Sequence, residues 1–527
     1  MFECAVSGCE EILVMADCGI CDSGMLFSIS VSKVANMKVL LISPEFPDTF
    51  WGFKHAIKFI RKRAAYPPLG LLTVGSMLPR EWTKRLVDVN VTELKDEDLA
   101  WADLVFLGAM AVQRDSVVQI VARCKKAGVK VVAGGPLFAA EYSQFEDIDH
   151  FVLNEAEITL APFLEDFQNG CAKRVYGTDE HCDIKTTPAP MWELIDFKDY
   201  ASMSVQFSRG CPFHCEFCNV TALFGHKSRI KSAEQVIGEL DLLYSLGWRG
   251  QVFFVDDNFI GNKKYLKTRL LPALMEWRKN KKGMPFLTEA SIDLADDELL
   301  MEMMVSSGFD AVFIGIETPS EEGLAECNKK QNTKRDLIAS VKCIQRNGLQ
   351  VHGGFILGFD TDTRSIFQRQ IDFIQKSGIV TAMVGLLQAP VGTKLYERLM
   401  REGRLLGQMT GNTDGTTNIV TRMDFAALRE GYAYVMGSIY SPKQYYRRIR
   451  TFLREYKPPK IKARPDLQRT LALFRSMLRL GIFGRERFQY WGILIWTLFR
   501  RPQMITLAVT CAIYGHHFRK SCKVHSF

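Results

Sequence analysis

Short β-branched runs alternate with amphipathic helical stretches twice along this chain, and an aperiodic, polar, Pro-containing stretch at 170–200 separates the two series. That alternation leaves few folds open. Each strand is followed by a helix able to carry the chain back across a sheet, so the strands run parallel with helices covering them. In the first series strands are expected at 38–42, 85–88, 104–107, 129–133 and 150–153, with helices at 68–78, 116–127 and 159–168. This reads as a doubly wound α/β domain over 37–169. The second series predicts strands at 205–209, 251–256, 286–292, 311–317, 351–357 and 381–387, with helices at 232–246, 263–281, 334–347 and 365–376. Six such units make a partial (β/α)6 barrel over 201–390, open on one side. Residues 391–527 read as a mostly helical extension. A length of 527 residues, 47% hydrophobic and 24% charged, suits two or three globular cores.

Ligands of parallel sheets bind beyond the carboxyl ends of the strands, so the loops there carry the chemistry. In the first domain these are Ser43-Pro44-Glu45, Gly108-Ala-Met110-Ala-Val-Gln113 and Gly134-Gly135-Pro136. The paired glycines permit a backbone to approach a bulky ligand closely, although Gly-Gly-Pro after a strand is also simply a turn. In the second domain the first strand runs directly into Arg209-Gly-Cys211-Pro-Phe-His-Cys215-Glu-Phe217-Cys218, three cysteines at Cys-x3-Cys-x2-Cys. Thiolates hold iron–sulfur clusters, and a four-iron cubane given three thiolates keeps one iron open. Zinc is the competing metal. His214 could complete a four-ligand set but lies inside the Cys-x3-Cys segment, where looping back is cramped.

The Cys211-x3-Cys215-x2-Cys218 motif with its aromatic Phe217 resembles the signature of the radical S-adenosylmethionine (SAM) superfamily, and its place after the first strand of a partial barrel agrees. The resemblance implies a 4Fe-4S cluster on these cysteines whose open iron chelates SAM. An electron from the cluster then cleaves that cofactor to a 5′-deoxyadenosyl radical. Gly354-Phe-Ile356-Leu-Gly358 resembles the fifth-strand element that packs on adenine, and Glu317 stands where the family places a ribose contact. The family's Gly-Gly-Glu element after strand two is replaced by Asp256-Asp257-Asn258, which makes Asp256 the candidate contact for the amino group of SAM.

A Rossmann-like domain immediately before such a barrel resembles the cobalamin-binding subclass. The first domain lacks the Asp-x-His-x2-Gly element that supplies a histidine to cobalt, so the resemblance implies a lower face without a histidine ligand. Met110–Gln113 is the loop expected to face cobalt. Ser43, Gly134, Gly135 and Pro136 complete the expected cobalamin set. Phe254-Val-Asp-Asp-Asn-Phe-Ile-Gly-Asn262, Gly315-Ile-Glu-Thr-Pro319, Ile356-Leu-Gly-Phe-Asp-Thr-Asp-Thr363 and Leu386-Leu-Gln-Ala-Pro390 resemble the hopanoid C-2 methylase group of cobalamin-dependent radical methyltransferases, and Leu395-Tyr-Glu-Arg-Leu and Glu402-Gly-Arg404 continue the likeness. The implied reaction transfers a methyl group from cobalamin to an unactivated carbon of a lipid or other small molecule. An electron donor such as flavodoxin or ferredoxin is implied as partner. A non-methylating rearrangement or cyclisation, methylation of a protein side chain, and a non-catalytic cofactor sensor fit the same motifs.

The remaining features concern surroundings. Fourteen cysteines, three of them within eight positions, do not form a disulfide framework, and a reducing cytoplasm is expected. Residues 1–36, with Cys4, Cys9, Cys18 and Cys21, read as a poorly ordered leader or a misassigned start before Met37; Cys18-x2-Cys21 as half a metal site is the alternative. Ten Lys or Arg residues between Lys443 and Arg469 face only Glu455 and Asp466, within a net charge of +8. The run is a solvated face or meets an anionic partner. No nucleic acid is expected, since no β-rich RNA-binding module is appended. The apolar runs 490–499 and 504–514 are too short to span a bilayer and either pack on the barrel or lie in a membrane interface, peripheral at the inner face.

Overall fold

The computed structural model of the chain describes residues 36–409, 411, 415–458 and 467–524. The leader with its four cysteines, and residues 459–466 of the basic run, lie outside the described residues. Two six-stranded parallel sheets follow one another, as the alternation predicts. The first contains β1 (Lys38–Ser43), β2 (Thr83–Asp88), β3 (Leu104–Gly108), β4 (Lys130–Gly134), β5 (His150–Val152) and β6 (Val175–Tyr176), in the order 2-1-3-4-5-6. Every residue of β1 after Lys38 is buried, as expected of a strand covered by helices on both faces. The strand order reverses between β1 and β3. A crevice therefore opens at their carboxyl ends.

β6 comes from the stretch that the sequence presents as an aperiodic linker. That stretch is packed rather than loose: Tyr176, Ile184, Trp192 and Tyr200 are all buried, and the Tyr200 hydroxyl donates to Asp88 at 3.0 Å. Short 3-10 turns, such as Trp192–Leu194, bury single side chains without any period for a pattern to reveal.

The second sheet runs in sequence order through β7 (Ser202–Val205), β10 (Gln251–Phe254), β11 (Phe286–Glu289), β12 (Phe309–Glu317), β13 (Gln350–Leu357) and β14 (Ala382–Leu386), and its two edge strands do not pair. This is the expected open barrel. The first predicted strand, 205–209, divides: β7 ends at Val205, and β8 (Ser208–Arg209) pairs antiparallel with β9 (Arg229–Ile230) to form the neck of the cysteine loop. Phe254, Phe286 and Phe309 pack edge-on and tilted, and Trp277 stacks on Phe286, between strands and outer helices, while the opposite strand faces line the lumen.

The extension is helical, with Phe425–Ile439 and Pro442–Glu455 closing the barrel's side. The basic run is only in part a solvated face. Arg448 is fully buried and donates to the carbonyls of Ile439 and Val380 at 2.8 and 3.3 Å. No helix among the described residues is long and apolar enough to cross a membrane.

A buried ionic cluster ties the first sheet to the second. Glu155 and Glu157 begin the helix Ala156–Gln168, where the helix dipole favours carboxylates. Arg209 of β8 reaches Glu155 at 3.0 Å and Glu157 at 2.7 Å, and Arg229 of β9 reaches Glu155 at 2.8 Å. Burial alone would raise the Glu157 carboxyl; the hydrogen bond and charge of Arg209 outweigh it and hold the group down at about 2. Replacing Glu155 with Ala leaves two buried guanidinium groups short of a partner. It is expected to cost about 3–5 kcal/mol, read as a lowered thermal midpoint; an unchanged midpoint would contradict the account.

Candidate functional site

The cysteine loop springs from β8 and returns through β9. Gly210 turns it with φ 89°, and a side chain there would press on the carbonyls of Lys227 and Phe224, so only glycine fits. The loop is held from outside. Glu216 donates its amide to the Cys327 carbonyl at 3.0 Å and accepts from the Leu395 amide at 3.1 Å, while Asn328 donates to the His214 carbonyl at 2.8 Å. The His214 ring lies against that of His226, with centroids 4.1 Å apart.

Cys211, Cys215 and Cys218 are all free of disulfides. Burial pushes the thiols of Cys211 and Cys218 up, the latter to about 12, and each is raised further by the charge of Cys215. Amides of Phe213 and Val220, together with Lys329, oppose the rise only in part. Three thiols on one loop are the soft donors that iron–sulfur centres take, although among the described residues no three His, Cys, Asp or Glu side chains converge on a single metal ion.

Around this loop the expected SAM contacts fall into two groups. Phe217 and Ile356 pack on the same apolar cluster, with Phe217 and Phe359 centroids 6.5 Å apart. Glu317 ends β12 on a bulge with φ 64° and pairs with the buried Lys329, whose ammonium lies 5.9 Å from the centre of the Phe217 ring. Gly315 leaves room for that ion pair, since a side chain there would displace the Glu317 carboxylate and the Lys329 ammonium. Gly354 gives way to Phe313, and Gly358, at φ 102°, donates its amide to Asp362 at 2.9 Å.

Asp256 does not stand with them. It is buried and accepts the amides of Phe207 and Ser208, so its carboxylate braces the neck of the loop instead of facing a ligand. Its neighbour Asp257 accepts the Gly210 amide at 2.8 Å, and its charge helps to raise the Cys211 thiol.

The residues expected to hold cobalamin frame the crevice between β1 and β3. Met110 is half exposed there. Gln113 is not available to a ligand. It is buried, donates to the Pro44 carbonyl at 2.5 Å and accepts the Met110 amide at 2.9 Å, locking the two loops together. Ser43 is buried and hydrogen-bonds Asp88. The two glycines also lie tightly against neighbouring backbone. A side chain at Gly134 would meet the Val152 carbonyl at 2.8 Å, and one at Gly135, with φ 99°, the Ala109 carbonyl at 2.9 Å. Close packing of neighbouring loops requires both glycines, and Pro136 starts the short helix Pro136–Glu141 that follows.

Loops at the carboxyl edge of the first sheet reach the barrel's mouth. Trp51, beyond β1, lies 5.4 Å from Phe313 of β12, and Tyr66 lies 5.3 Å from Phe253 of β10. Gly411 of the extension accommodates Val112 of the β3 loop on one side and donates to Gln388, beyond β14, at 3.1 Å on the other. Glu289, Phe313 and His352 sit in register on adjacent parallel strands and project from one face. Burial, then the charges of Asp257 and Asp256, pushes Glu289 up to about 8, and burial pushes His352 down to about 4. At neutral pH this aromatic wall therefore carries a protonated carboxyl and a neutral imidazole. Lys329, Asp257, Glu289, His352 and Tyr66 are the site residues that sequence reasoning misses. A polar residue at the end of an apolar strand, as in Phe286-Leu-Thr-Glu289, was the available signal for Glu289.

Residues 205–374 match the radical SAM superfamily, and 393–526 match a domain of unknown function, DUF4070. A Synechocystis protein named an uncharacterized methyltransferase is 40% identical over 491 residues, 92% of this chain and 91% of that one. Hopanoid C-2 methylase of Rhodopseudomonas palustris is 32% identical, over 92% of this chain and 94% of its own. Among solved structures, the cobalamin-dependent SAM radical enzyme OxsB with aqua-cobalamin bound superposes with a TM-score of 0.57 at 15% identity, covering 93% of this chain and 81% of that one. The radical SAM methyltransferase TsrM from Kitasatospora setae gives 0.55 at 13% identity, covering 90% and 99%. At such identities these structures show a shared fold.

The raised Glu289 carboxyl makes stability depend on pH. Its unfolded value near 4.5 lies below the folded value of about 8. The fold thus binds a proton that the unfolded chain releases, and stability from this group falls as pH rises through that window. Glu289→Gln is expected to flatten the decline of the melting temperature between about pH 4.5 and about 8. Equal slopes in parent and variant would contradict the assignment.

Proposed function

Because this chain belongs to the radical SAM superfamily, in the methyltransferase group that includes hopanoid C-2 methylase, we propose that it methylates an unactivated carbon of a polycyclic isoprenoid or related lipid, using a 4Fe-4S cluster, SAM and cobalamin. The observation that carries this reading is the meeting of the two sheets. Trp51 and Tyr66 of the first domain pack on Phe313 and Phe253 of the barrel strands, so in this reading a group carried at the first sheet's edge and one held at the cysteine loop would act on the same substrate.

In this reading Cys211, Cys215 and Cys218 hold the cluster, and the loops beyond β1, β3 and β4 hold cobalamin. When bound, the cluster supplies the electron that cleaves SAM, and cobalamin carries the methyl group. Phe217, Ile356, Gly354 and Gly358 offer an apolar seat for the adenosyl part. The Glu317–Lys329 pair keeps a fixed carboxylate at the end of β12, and Asp257, whose charge reaches Cys211, serves the amino group. The aromatic faces and uncharged polar groups of the lumen exclude water and suit a hydrocarbon skeleton better than an ionic metabolite. Electrons come from a small donor such as flavodoxin or ferredoxin, and the enzyme works in the cytoplasm, in peripheral contact with the inner membrane face.

Replacing any of Cys211, Cys215 or Cys218 with Ala is expected to abolish reductive formation of 5′-deoxyadenosine from SAM; undiminished formation would overturn the cluster assignment. Deleting the gene in its host and profiling the lipids should remove a species one methylene heavier than its parent. An unchanged profile in cells that normally express the protein would overturn the lipid substrate.

A further inference from the structure

The helix Leu467–Ser476 continues through a π-helical turn, Met477–Ile482, and folds back as Arg487–Arg500. The inner faces of this hairpin are well packed. Ala472, Leu480, Tyr490, Ile493 and Leu494 are buried, Ser476 and Tyr490 share a hydrogen bond of 2.7 Å, and the Trp491 indole donates to the Gly481 carbonyl at 3.0 Å.

Its outer face is also apolar. Phe474, Leu478 and Ile482 follow one another at helical steps of four, then Phe483; Phe488, Trp491, Ile495 and Leu498 continue on the returning helix, ending at Phe499. Phe483, Phe488 and Phe499 are 81%, 75% and 80% exposed. Of the 24 large apolar side chains exposed among the described residues, nine fall between 474 and 499. The others are scattered singly, as on any protein; these form a ridge that calls for a partner. The run 504–514 is different, since Met504, Ala508, Val509, Cys511, Ala512 and Ile513 are all buried.

The charge around the ridge selects the partner. Between 470 and 505 the sequence holds Arg475, Arg479, Arg485, Arg487, Arg500 and Arg501 against one acid, Glu486, which is buried and paired with Arg519 at 2.5 Å. Arg485, Arg487 and Arg500 are exposed along the rim of the apolar face. A second copy of this chain would bring the same arginine rim against itself, because a two-fold interface pairs identical patches. Neither helix can span a bilayer. An apolar ridge rimmed with arginine fits a surface that is apolar beneath and anionic above.

We propose that the hairpin 470–501 docks the protein on an anionic phospholipid bilayer. The inner side of the hairpin grips the segment that leads to the chamber. Arg475 donates to the Phe59 carbonyl at 2.5 Å, and the Arg479 guanidinium lies 5.4 Å from the centre of the Phe59 ring. The same segment begins near Trp51, against Phe313 in the lumen. Docking therefore brings one wall of the chamber's mouth to the membrane surface, where a lipid substrate resides. That last placement rests on the lipid reading of the function, whereas the docking does not.

The test is co-sedimentation of the purified full chain with phosphatidylcholine vesicles, with and without phosphatidylglycerol. Binding is expected with phosphatidylglycerol and weak binding without it. Phe483→Ser, Phe488→Ser and Phe499→Ser combined should lower vesicle affinity on the order of 10-fold or more while leaving the melting temperature unchanged, because all three side chains are exposed. Arg485→Glu, Arg487→Glu and Arg500→Glu combined should remove the preference for phosphatidylglycerol. The proposal is overturned by absence of vesicle binding, by variants that bind as well as the parent, or by a dimer in light scattering that the serine variant breaks without any vesicle affinity. Vesicle binding alongside an unchanged lipid profile in a deletion strain would uphold docking and reject the lipid substrate.

Discussion

The cysteine loop has little regular structure of its own, and its neck is fixed by the pairing of Arg209 and Arg229 with Glu155 and Glu157. The two arginines stand on the paired strands at the loop's neck, and the two carboxylates begin the last crossover helix of the first sheet. Removing four charges from water is costly. The cluster offsets that cost with hydrogen bonds, including the Cys182 amide to Glu155 at 2.9 Å, the Thr187 hydroxyl to Glu157 at 2.6 Å and Arg229 to the Cys182 carbonyl at 2.8 Å. Apolar contact between the domains would tolerate sliding. Fixed donors and acceptors do not.

Charge also differs from group to group among the residues on the barrel's strands and the turn that follows β12. Next to the cysteines, burial would lower the Lys329 ammonium, but Glu317 and Cys215 more than reverse this, so a cation is kept where thiolate charge gathers. Deeper in the barrel the polar groups are neutralised: Glu289 holds its proton, His352 lacks one, and Tyr66 is raised to about 12 by burial and by Glu289. Such a division suits a site that anchors ionic cofactors at one end and a hydrocarbon at the other. The arginine-rimmed hairpin extends the same logic to the outer surface.

Much of this was legible in the sequence, for definite reasons. Strand and helix periods are local, so both sheets could be read before any contact was known, and the three-cysteine spacing names its chemistry through residue type alone. Orientation is not local. Asp256 and Asp257 are adjacent and chemically alike, and only the backbone of the loop decides that the first braces Phe207 and Ser208 while the second accepts the Gly210 amide. Gly134 and Gly135 lie tightly against the Val152 and Ala109 carbonyls, contacts that no local pattern reveals. Gln113 was expected in the loop that faces cobalt, and its side chain donates to the Pro44 carbonyl. Lys329 joins Glu317 across a turn, and the outer face of 474–499 became visible only once packing had assigned the inner one.

The central claim is that the two sheets form one methylating chamber. Its most direct measurement is turnover of the reconstituted protein with SAM bearing a trideuterated methyl group, under reductant, with lipid from a strain lacking the gene. The account predicts a product carrying the methyl group with all its deuterium, formed together with 5′-deoxyadenosine. A product that forms with 5′-deoxyadenosine but without the label would contradict it and leave a non-methylating radical reaction in its place.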